Sequence, residues 1–267
     1  MPEGDTIFRT ARTLQRAIGG QVVTRFESVL PKLTRIDYDT PLAGRTVEKV
    51  EAQGKWLLIH FSGDLTLLTH MLMSGSWHIY RPGEAWQRNR YHMRIVIETP
   101  AMLAVGFNVP VAEFHSAATL ARREGLNRLG PDVLSPDFDE AAAIANLAAR
   151  AEYEVGPALL DQSALAGIGN VFKSEIAFAC GVNPFRKVST LTSLNLSELV
   201  STARKFLRAN VTEASGHMRT TGSANLEEFL WVYRRAGEPC RRCGTDIRTA
   251  RHTSDARVSF WCPTCQK

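Results

Sequence analysis

The sequence lacks several features that would assign it directly to a class of protein. Five cysteines among 267 residues are too few for a disulfide-dense secreted domain. No stretch of about 18 uninterrupted apolar residues is present, and the first residues lack the basic and then apolar order of a signal peptide. Repeats, low-complexity tracts, nucleotide-binding loops and redox motifs are also missing. We therefore expect a cytoplasmic globular protein without a membrane segment.

What the sequence does have is an ordinary globular composition with unevenly distributed charge. Hydrophobic residues make up 44% and charged residues 22%, which excludes a disordered tail or a collagen-like fibre. The net charge is +5, and residues 231–267 alone hold eight basic and three acidic side chains. This segment carries the whole basic surplus, as expected either for a phosphate-binding patch or for a solvated surface.

Hydrophobic periodicity predicts different secondary structure in the two halves of the chain. Asp5 is predicted to cap a helix whose apolar residues recur at helical spacing and which ends at Gly19–Gly20. Short β-rich runs follow at 21–30, 46–52, 56–61, 65–70, 76–81, 92–99 and 102–106. Strands at this spacing, with turn residues between them, are typical of an antiparallel sandwich or barrel.

The second half, beyond a boundary near Gly130–Pro131, is predicted to be mainly helical. Residues 139–150 and 195–209 have helical periodicity. Between them, Gly167 and Gly169 interrupt the run 159–176, which predicts two helices joined by a tight turn. Such a hairpin can offer backbone N–H groups to a phosphate, although many helical hairpins are only scaffolding.

Four of the five cysteines form two C-x2-C pairs. Two residues separate Cys240 from Cys243 and Cys262 from Cys265, and eighteen residues lie between the pairs. This spacing is typical of one structural zinc ion in a closed tetrahedral thiolate site. Two disulfides are the disfavoured alternative in a reducing compartment. The fifth cysteine, Cys180, lies in an apolar helical run and is predicted to be a buried small hydrophobe.

The residues between the cysteine pairs are predicted to form a β-hairpin of segments 246–249 and 257–261, with Arg257 near its tip. A rigidly held arginine can bind phosphate through two parallel hydrogen bonds. An arginine that only makes the finger soluble is an equally good interpretation of these residues.

The N-terminus has a chemical feature of its own. Pro2 follows the initiator methionine, and a small residue at this position favours removal of Met1. That removal would expose the secondary amine of Pro2. An α-amino group titrates near pH ~8, so its neutral fraction can attack an aldehyde-like carbon. Glu3 follows directly and could act as an acid. Taken alone, these residues are more simply interpreted as a flexible terminus.

Four separated motifs carry a family resemblance that extends over the whole chain. They are Met-Pro-Glu-Gly at 1–4, Gly-Lys-Trp-Leu-Leu at 54–58, the hairpin segment 159–170, and the finger sequence 237–265. Together they resemble the formamidopyrimidine-DNA glycosylase and endonuclease VIII family of DNA repair enzymes. The resemblance implies an α+β protein. Its parts would be an N-terminal catalytic β-sandwich with an N-terminal helix (1–120), a linker (121–134), a helix-two-turn-helix DNA-binding domain (135–226) and a C-terminal zinc-finger β-hairpin (227–267).

The resemblance also implies which residues do the chemistry. Pro2 would attack C1′ of the damaged nucleotide as the Schiff-base nucleophile, and Glu3 would protonate the deoxyribose ring oxygen. Lys55 would contact phosphate and assist elimination, whereas without the resemblance it is an exposed strand lysine. Arg257 would serve the δ-elimination step.

A second group of residues would hold the DNA. Arg128 and Asn170 match residues that bind the DNA backbone. The loop that begins at His70 matches the family's intercalation loop, and Leu72 and Met73 are the candidate wedges that would fill the gap left by an everted nucleotide. Ordinary core methionines are the alternative interpretation of that loop.

Departures from the family pattern indicate the branch. The Asp-Pro-Arg-Arg-Phe-Gly type motif of the formamidopyrimidine branch is missing near 106–110, and the stretch 219–233 is short for a loop that caps oxidised purines. Both departures favour the endonuclease VIII branch and oxidised pyrimidines. Leu72 replaces a glutamine of the enterobacterial enzyme, and Thr6 stands where a second carboxylate is usual. Asp5 could supply that carboxylate, but its predicted capping role competes.

The sequence thus predicts a monomeric bifunctional glycosylase and apurinic/apyrimidinic (AP) lyase of base excision repair. It would excise oxidised pyrimidines and cut the strand by β,δ-elimination, with one structural Zn²⁺ and no other cofactor. Its partner would be damaged DNA, duplex or single-stranded, in a bacterial cytoplasm. The alternatives are an oxidised-purine glycosylase of the same fold and a non-catalytic zinc-finger binder of damaged DNA.

Overall fold

The computed structural model describes residues 2–212, 218–223, 225, 228–253 and 257–267. Backbone contacts divide the chain into two compact units, Met1–Asn127 and Arg128–Lys267. Within the described ranges, no helix combines the length and the hydrophobicity that crossing a bilayer requires.

The first unit is a β-sandwich with a helix at its start, as predicted. One antiparallel sheet has the strand order β1-β6-β7-β5 and the other β2-β3-β4-β8. The strands are β1 (Arg25–Ser28), β2 (Val47–Gln53), β3 (Trp56–Phe61), β4 (Leu65–His70), β5 (Ser76–Tyr80), β6 (Met93–Glu98), β7 (Leu103–Phe107) and β8 (Val111–His115). The helices of this unit are α1 (Gly4–Ile18), α2 (Pro31–Asp39) and α3 (Ala117–Leu120).

One apolar core joins both sheets to α1. The buried stripe of α1 comprises Ile7, Ala11, Leu14 and Ile18, and it packs with inward side chains of β3, β4 and β6. Each large side chain that leaves water in this way contributes about 1.5–3 kcal/mol to folding. The helix that begins directly after residues 2 and 3 is therefore fixed to the sandwich along its whole length.

Three expectations for this unit are corrected by the structure. Asp5 does not cap α1, because the helix begins at Gly4 and its N-cap residue is Glu3, two residues earlier, with no side-chain cap. The predicted strand 21–30 shortens to β1, since Val22 makes only an isolated bridge with Thr46 before it and Pro31 starts α2 after it. Strand β8 is absent from the predicted strands, although it pairs with β4 over five residues.

The second unit combines helices with a C-terminal hairpin. Its helices are α4 (Glu140–Ala148), α5 (Val155–Leu160), α6 (Asn170–Ala179) and α7 (Ser193–Thr212), and its strands are β9 (Arg248–Arg251) and β10 (Val258–Trp261). Helices α5 and α6 confirm the predicted interruption of the run 159–176. Antiparallel pairing of β9 with β10 confirms the predicted finger hairpin.

Cys180 is more exposed than predicted. It is the C-cap residue of α6 and is only half-buried. Its Sγ lies 3.4 Å from Oγ1 of Thr202 and 3.5 Å from the carbonyl oxygen of Glu198, both on α7. Desolvation raises the pKa of this thiol above its usual value. The thiol is therefore a helix-end contact rather than a filler of the core.

A buried carboxylate ties α6 to the chain that leads into the finger. Glu175 is fully buried. Its two oxygens accept hydrogen bonds from the backbone N–H groups of Trp231, Val232 and Tyr233, at 2.8, 2.9 and 2.8 Å. The hydroxyl of Thr220 also donates to it. A residue in the middle of a helix thus orders a segment more than fifty residues away in sequence.

Candidate functional site

Pro2 and Glu3 stand at the start of α1. Pro2 is half-buried and Glu3 is fully buried. The carbonyl oxygen of Glu3 accepts the first hydrogen bond of the helix, from the N–H of Ile7 at 3.1 Å. Glu3 is therefore part of the helix start rather than of a flexible terminus, and Pro2 directly precedes it.

Helix α1 runs in the opposite direction to β2 where the two are in contact. The N–H of Gly20, just after the helix, donates to the carbonyl oxygen of Val47. The side chain of Gln15, further back in the helix, accepts from the N–H of Val50. Moving backwards along α1 thus corresponds to moving forwards along β2. From Gly20 to Gln15, the helix therefore runs back along the sheet in the direction in which β2 runs on to Lys55.

Lys55 lies in a tight hairpin turn and is not the exposed strand lysine of the alternative interpretation. Gln53 pairs with Trp56, so Gly54 and Lys55 form a two-residue turn. Gly54 has a φ of 57°, and a glycine at the first position suits the turns that match strand twist. Lys55 is only 9% exposed. The fold thus buries most of Lys55.

His70 is the neighbour of Lys55 across the sheet. Pairing of β3 with β4 sets Trp56 opposite His70, and their rings meet edge to face at 4.8 Å. Burial, and next the positive charge of Lys55, lower the pKa of His70 to about 4. The imidazole is therefore neutral at physiological pH.

Neutral His70 organises the loop that follows it. Its Nδ1 accepts a hydrogen bond from the N–H of Leu72 at 3.0 Å. Leu72 has a φ of 44°, a left-handed conformation that costs a residue with a Cβ about 1–2 kcal/mol. Leu72 is 45% and Met73 71% exposed, whereas Met71 is buried. The core-methionine interpretation is correct for Met71 and wrong for Met73.

Thr6 and Asp5 stand in the first turn of α1. Asp5 is fully buried. Its carboxylate accepts from the hydroxyl of Thr6 at 3.3 Å and pairs with Arg9 at 3.4 Å. Desolvation raises the pKa of Asp5, although these partners oppose the rise. If Asp5 supplies the carboxylate that is usual at position 6, the competing interaction is thus its ion pair with Arg9 and not helix capping.

Sequence reasoning did not identify a side-chain network beside the Lys55 turn. The guanidinium of Arg123 lies 5.1 Å from the ring centroid of Trp56. It also donates two hydrogen bonds to Glu113, at 2.7 and 3.1 Å. Arg123 lies far from any motif in the sequence, so only the fold shows that it packs on the residue after Lys55.

In the second unit, Asn170 is the first residue of α6. Its Oδ1 is buried and has no hydrogen-bond partner among the described residues. Gln162 braces the loop before it: the side-chain amide donates to the carbonyl oxygens of Leu160 and Ile168, at 2.8 and 3.0 Å, and its oxygen accepts from Gly167 at 3.1 Å. Gln162 lies within the hairpin segment 159–170, but the sequence alone did not indicate that its side chain hydrogen-bonds the loop.

Arg128 is an exposed residue next to this braced loop. The N–H of Gly130, two residues later, donates to the carbonyl oxygen of Gln162 at 2.9 Å. A Cβ at Gly130 would lie 2.6 Å from the carbonyl oxygens of Ser163 and Ala164. The close approach requires glycine, and it brings the chain beside Arg128 to the loop that precedes Asn170.

The four paired cysteines converge in the finger, as predicted. Their Sγ atoms all lie within 4.8 Å of one another, with Cys243–Cys262 at 3.5 Å and Cys240–Cys265 at 3.9 Å. Zn–S bonds of about 2.3 Å in a tetrahedron require sulfur separations of about 3.8 Å. Four thiolates at these positions fit one zinc ion and leave no open coordination position. Arg257 is exposed just before β10.

Comparison with known proteins accounts for nearly the whole chain. Residues 1–108 match the formamidopyrimidine-DNA glycosylase N-terminal domain, residues 129–221 its H2TH domain, and residues 237–267 the zinc finger found in FPG and IleRS. The probable endonuclease 8 2 of Streptomyces coelicolor is 42% identical over all of this chain and 94% of the relative. The chain belongs to the formamidopyrimidine-DNA glycosylase and endonuclease VIII family.

Other members of this family are similar over their full length. The DNA-(apurinic or apyrimidinic site) lyase Nei2 of Mycolicibacterium smegmatis is 39% identical over all of this chain and 99% of the relative. Endonuclease 8 of Escherichia coli is 32% identical over the whole of both chains. A Lactococcus lactis formamidopyrimidine-DNA glycosylase, solved bound to DNA containing an AP site, has a TM-score of 0.83 at 22% identity, with 99% of each chain covered. In the present chain, the four cysteines of the zinc finger form a site for one structural zinc ion.

Proposed function

We propose that this protein is a bifunctional DNA glycosylase and AP lyase that removes oxidised pyrimidines. The observation that carries the proposal is the Pro2–Glu3 pair, held at the start of α1 in a chain whose full-length relative is named an AP lyase. Endonuclease 8 relatives at 32–42% identity support the pyrimidine branch. Damaged DNA is then the partner, and its everted nucleotide is the substrate.

The amine of Pro2 supplies the covalent step once Met1 has been removed. Its lone pair attacks C1′, the C1′–N bond to the damaged base breaks, and the base departs with the bonding electrons and takes up the proton that the nitrogen of Pro2 releases. Glu3 donates a proton to the ring oxygen, so the sugar opens and the nitrogen–carbon bond becomes an iminium. Because proline is a secondary amine, this intermediate is cationic, and it acidifies the proton on C2′.

Elimination then cuts the DNA strand. Loss of the C2′ proton expels the 3′ phosphate, and a second elimination expels the 5′ phosphate. Lys55 is proposed to contact phosphate and assist the first step, and Arg257 to assist the second. Arg128 and Asn170 are proposed to hold the backbone, where positive charge and N–H donors favour phosphate. Water finally hydrolyses the iminium and frees the amine of Pro2.

The loop that follows His70 is proposed to fill the space left by the everted nucleotide. Leu72 and Met73 are the proposed wedges, and their exposed apolar side chains support that role. His70 itself is proposed to lie at the DNA. Eversion costs a few kcal/mol, which apolar contact of such side chains with the neighbouring bases can offset.

Borohydride trapping tests the proposal directly. Reduction of the iminium should join the protein covalently to DNA that contains an AP site. Pro2→Gly and Glu3→Gln should each abolish base excision, and Pro2→Gly should reduce trapping strongly. The matched control is Glu48→Gln, which makes the same chemical change at an exposed position of β2. A Met1-free protein that gives no adduct, or a Pro2→Gly variant with full activity, would contradict the proposal.

The preferred lesion is tested separately. Duplexes that contain 5-hydroxyuracil should be cleaved faster than duplexes that contain 8-oxoguanine. The reverse order would indicate an oxidised-purine enzyme of the same fold. A protein that binds AP-site DNA but neither traps nor cleaves it would be a zinc-finger binder without catalysis.

A further inference from the structure

A histidine of the finger hairpin is buried where the hairpin meets the helices. His252 follows the last residue of β9, and its side chain is not exposed to solvent. Its Nδ1 lies 2.7 Å from Oε2 of Glu154, the residue before α5, and its Nε2 lies 2.6 Å from Oγ of Ser259 on β10. One imidazole therefore links both strands of the hairpin to the beginning of α5.

The surroundings of this imidazole allow it little movement. The ring stacks on Phe185 with centroids 4.5 Å apart, and Trp261 meets the same phenyl ring edge on at 4.7 Å. A Cβ at Gly156 would lie 2.5 Å from Cε1 and Nε2 of the imidazole. Only glycine fits there, so α5 approaches His252 with its backbone.

Helix α6 holds the same hairpin independently. The ammonium group of Lys173, a fully buried residue, donates to the carbonyl oxygen of Val258 at 3.1 Å. The N–H of Phe260 donates to the hydroxyl of Ser174 at 3.4 Å. Because α6 begins at Asn170, strand β10 and that residue share one rigid frame.

We propose that His252 is a positioning residue for Arg257. Arg257 follows His252 by five residues and precedes Ser259 by two, so the hydrogen bond to Ser259 fixes the strand directly behind it. The inference rests on the proposed role of Arg257 in δ-elimination. A guanidinium must meet a phosphate with hydrogen-bond accuracy, and a misplacement of about 1 Å can cost about 100-fold in rate.

Two substitutions of different severity test this. Ser259→Ala removes one hydroxyl group, and His252→Phe keeps a ring against Phe185 but removes both nitrogens. In single-turnover cleavage of AP-site DNA, Ser259→Ala should slow δ-elimination about tenfold, the effect of about 1.4 kcal/mol in one lost hydrogen bond. His252→Phe loses two hydrogen bonds and should slow this step more. The β-elimination product should accumulate, while borohydride trapping and the zinc content stay at wild-type values.

Matched control substitutions are available close to Glu154 and next to His252. Glu152→Gln changes an exposed carboxylate that pairs with Lys187, two residues before Glu154. Thr253→Ala removes an exposed hydroxyl next to His252. Both variants should give the wild-type ratio of δ- to β-elimination products. A general loss of stability would lower all steps together, so the product ratio separates positioning from folding.

Arg257→Ala and Pro2→Gly, measured in parallel, separate this inference from the proposed function. If Arg257→Ala slows δ-elimination but Ser259→Ala leaves it within twofold of wild type, the positioning role is refuted and the proposed function stands. If Arg257→Ala itself has no effect, the role of Arg257 fails and the positioning role fails with it. Should His252→Phe lose zinc, Ser259→Ala decides the question.

Discussion

Replacing Glu175 by glutamine measures how strongly the helices hold the chain that enters the finger. The two oxygens of Glu175 accept three backbone N–H groups and the Thr220 hydroxyl. Glutamine has nearly the same shape but presents N–H donors on one side. In the better of its two orientations, the NH2 group of the glutamine faces the N–H of Trp231 and the hydroxyl of Thr220. Of these two groups, only the hydroxyl can turn to accept a hydrogen bond from the NH2 group.

The expected cost follows from this count. One buried N–H group of Trp231 is left unpaired, which costs about 1–3 kcal/mol. The bonds from Val232 and Tyr233 lose their charge-assisted character, at about 0.5–1 kcal/mol each, and relief from burying a charge offsets part of this sum. We expect the free energy of unfolding of the second unit to fall by about 3 kcal/mol.

Urea denaturation, followed by the fluorescence of Trp231 and Trp261, measures this change. The matched control is Glu198→Gln on α7, where the side chain is exposed and the same chemical change should stay within about 0.5 kcal/mol. A Glu175→Gln variant as stable as this control would refute the reasoning. It would mean that Glu175 carries a proton in the folded protein and already acts as a neutral group.

Three further predictions concern the zinc of the finger, the protonation of His70 and the conformation of Leu72. Removing zinc with a chelator should abolish amide-exchange protection in β9 and β10 but not in β3 and β4, because the finger has little apolar core; protection that persists in β9 would contradict this. Because the folded pKa of His70 is about 4 and its ordinary value is 6.5, the unfolded chain takes up the proton first. The free energy of unfolding should therefore fall as the pH drops from 6.5 to about 4. His70→Asn should flatten this pH dependence in urea-unfolding experiments, and an unchanged slope would contradict the role of the neutral imidazole. Leu72→Gly relieves a positive φ, so the melting temperature should not fall, whereas cleavage of lesion DNA should; a variant with unchanged cleavage would remove Leu72 from the wedge.

The features that could be predicted from the sequence are those fixed by local spacing. Apolar residues at helical spacing predicted α1, short β-rich runs between turn residues predicted most strands of the sandwich, and the two C-x2-C pairs predicted the thiolate cluster. Each depends on neighbours within a few residues or on the chemistry of one residue type. The same holds for the interruption at Gly167, where a φ of 107° suits only glycine.

The features that escaped prediction depend on residues far apart in the chain. The burial of Lys55 follows from the pairing that sets Trp56 against His70, and the stack of Arg123 on Trp56 joins segments more than sixty residues apart. His252 meets Glu154 across ninety-eight residues. Such contacts carry no periodic signal, so only the packed structure shows which polar residue has a distant partner.

The half-buried thiol at the end of α6 affects how the finger tolerates oxidants. A raised pKa keeps Cys180 protonated at neutral pH, and a protonated thiol attacks disulfides and peroxides slowly. The fifth sulfur of the chain is thus a poor participant in thiol exchange with the four that hold zinc. The metal-binding sulfurs are thereby less exposed to mixed disulfides with the spare thiol of their own chain.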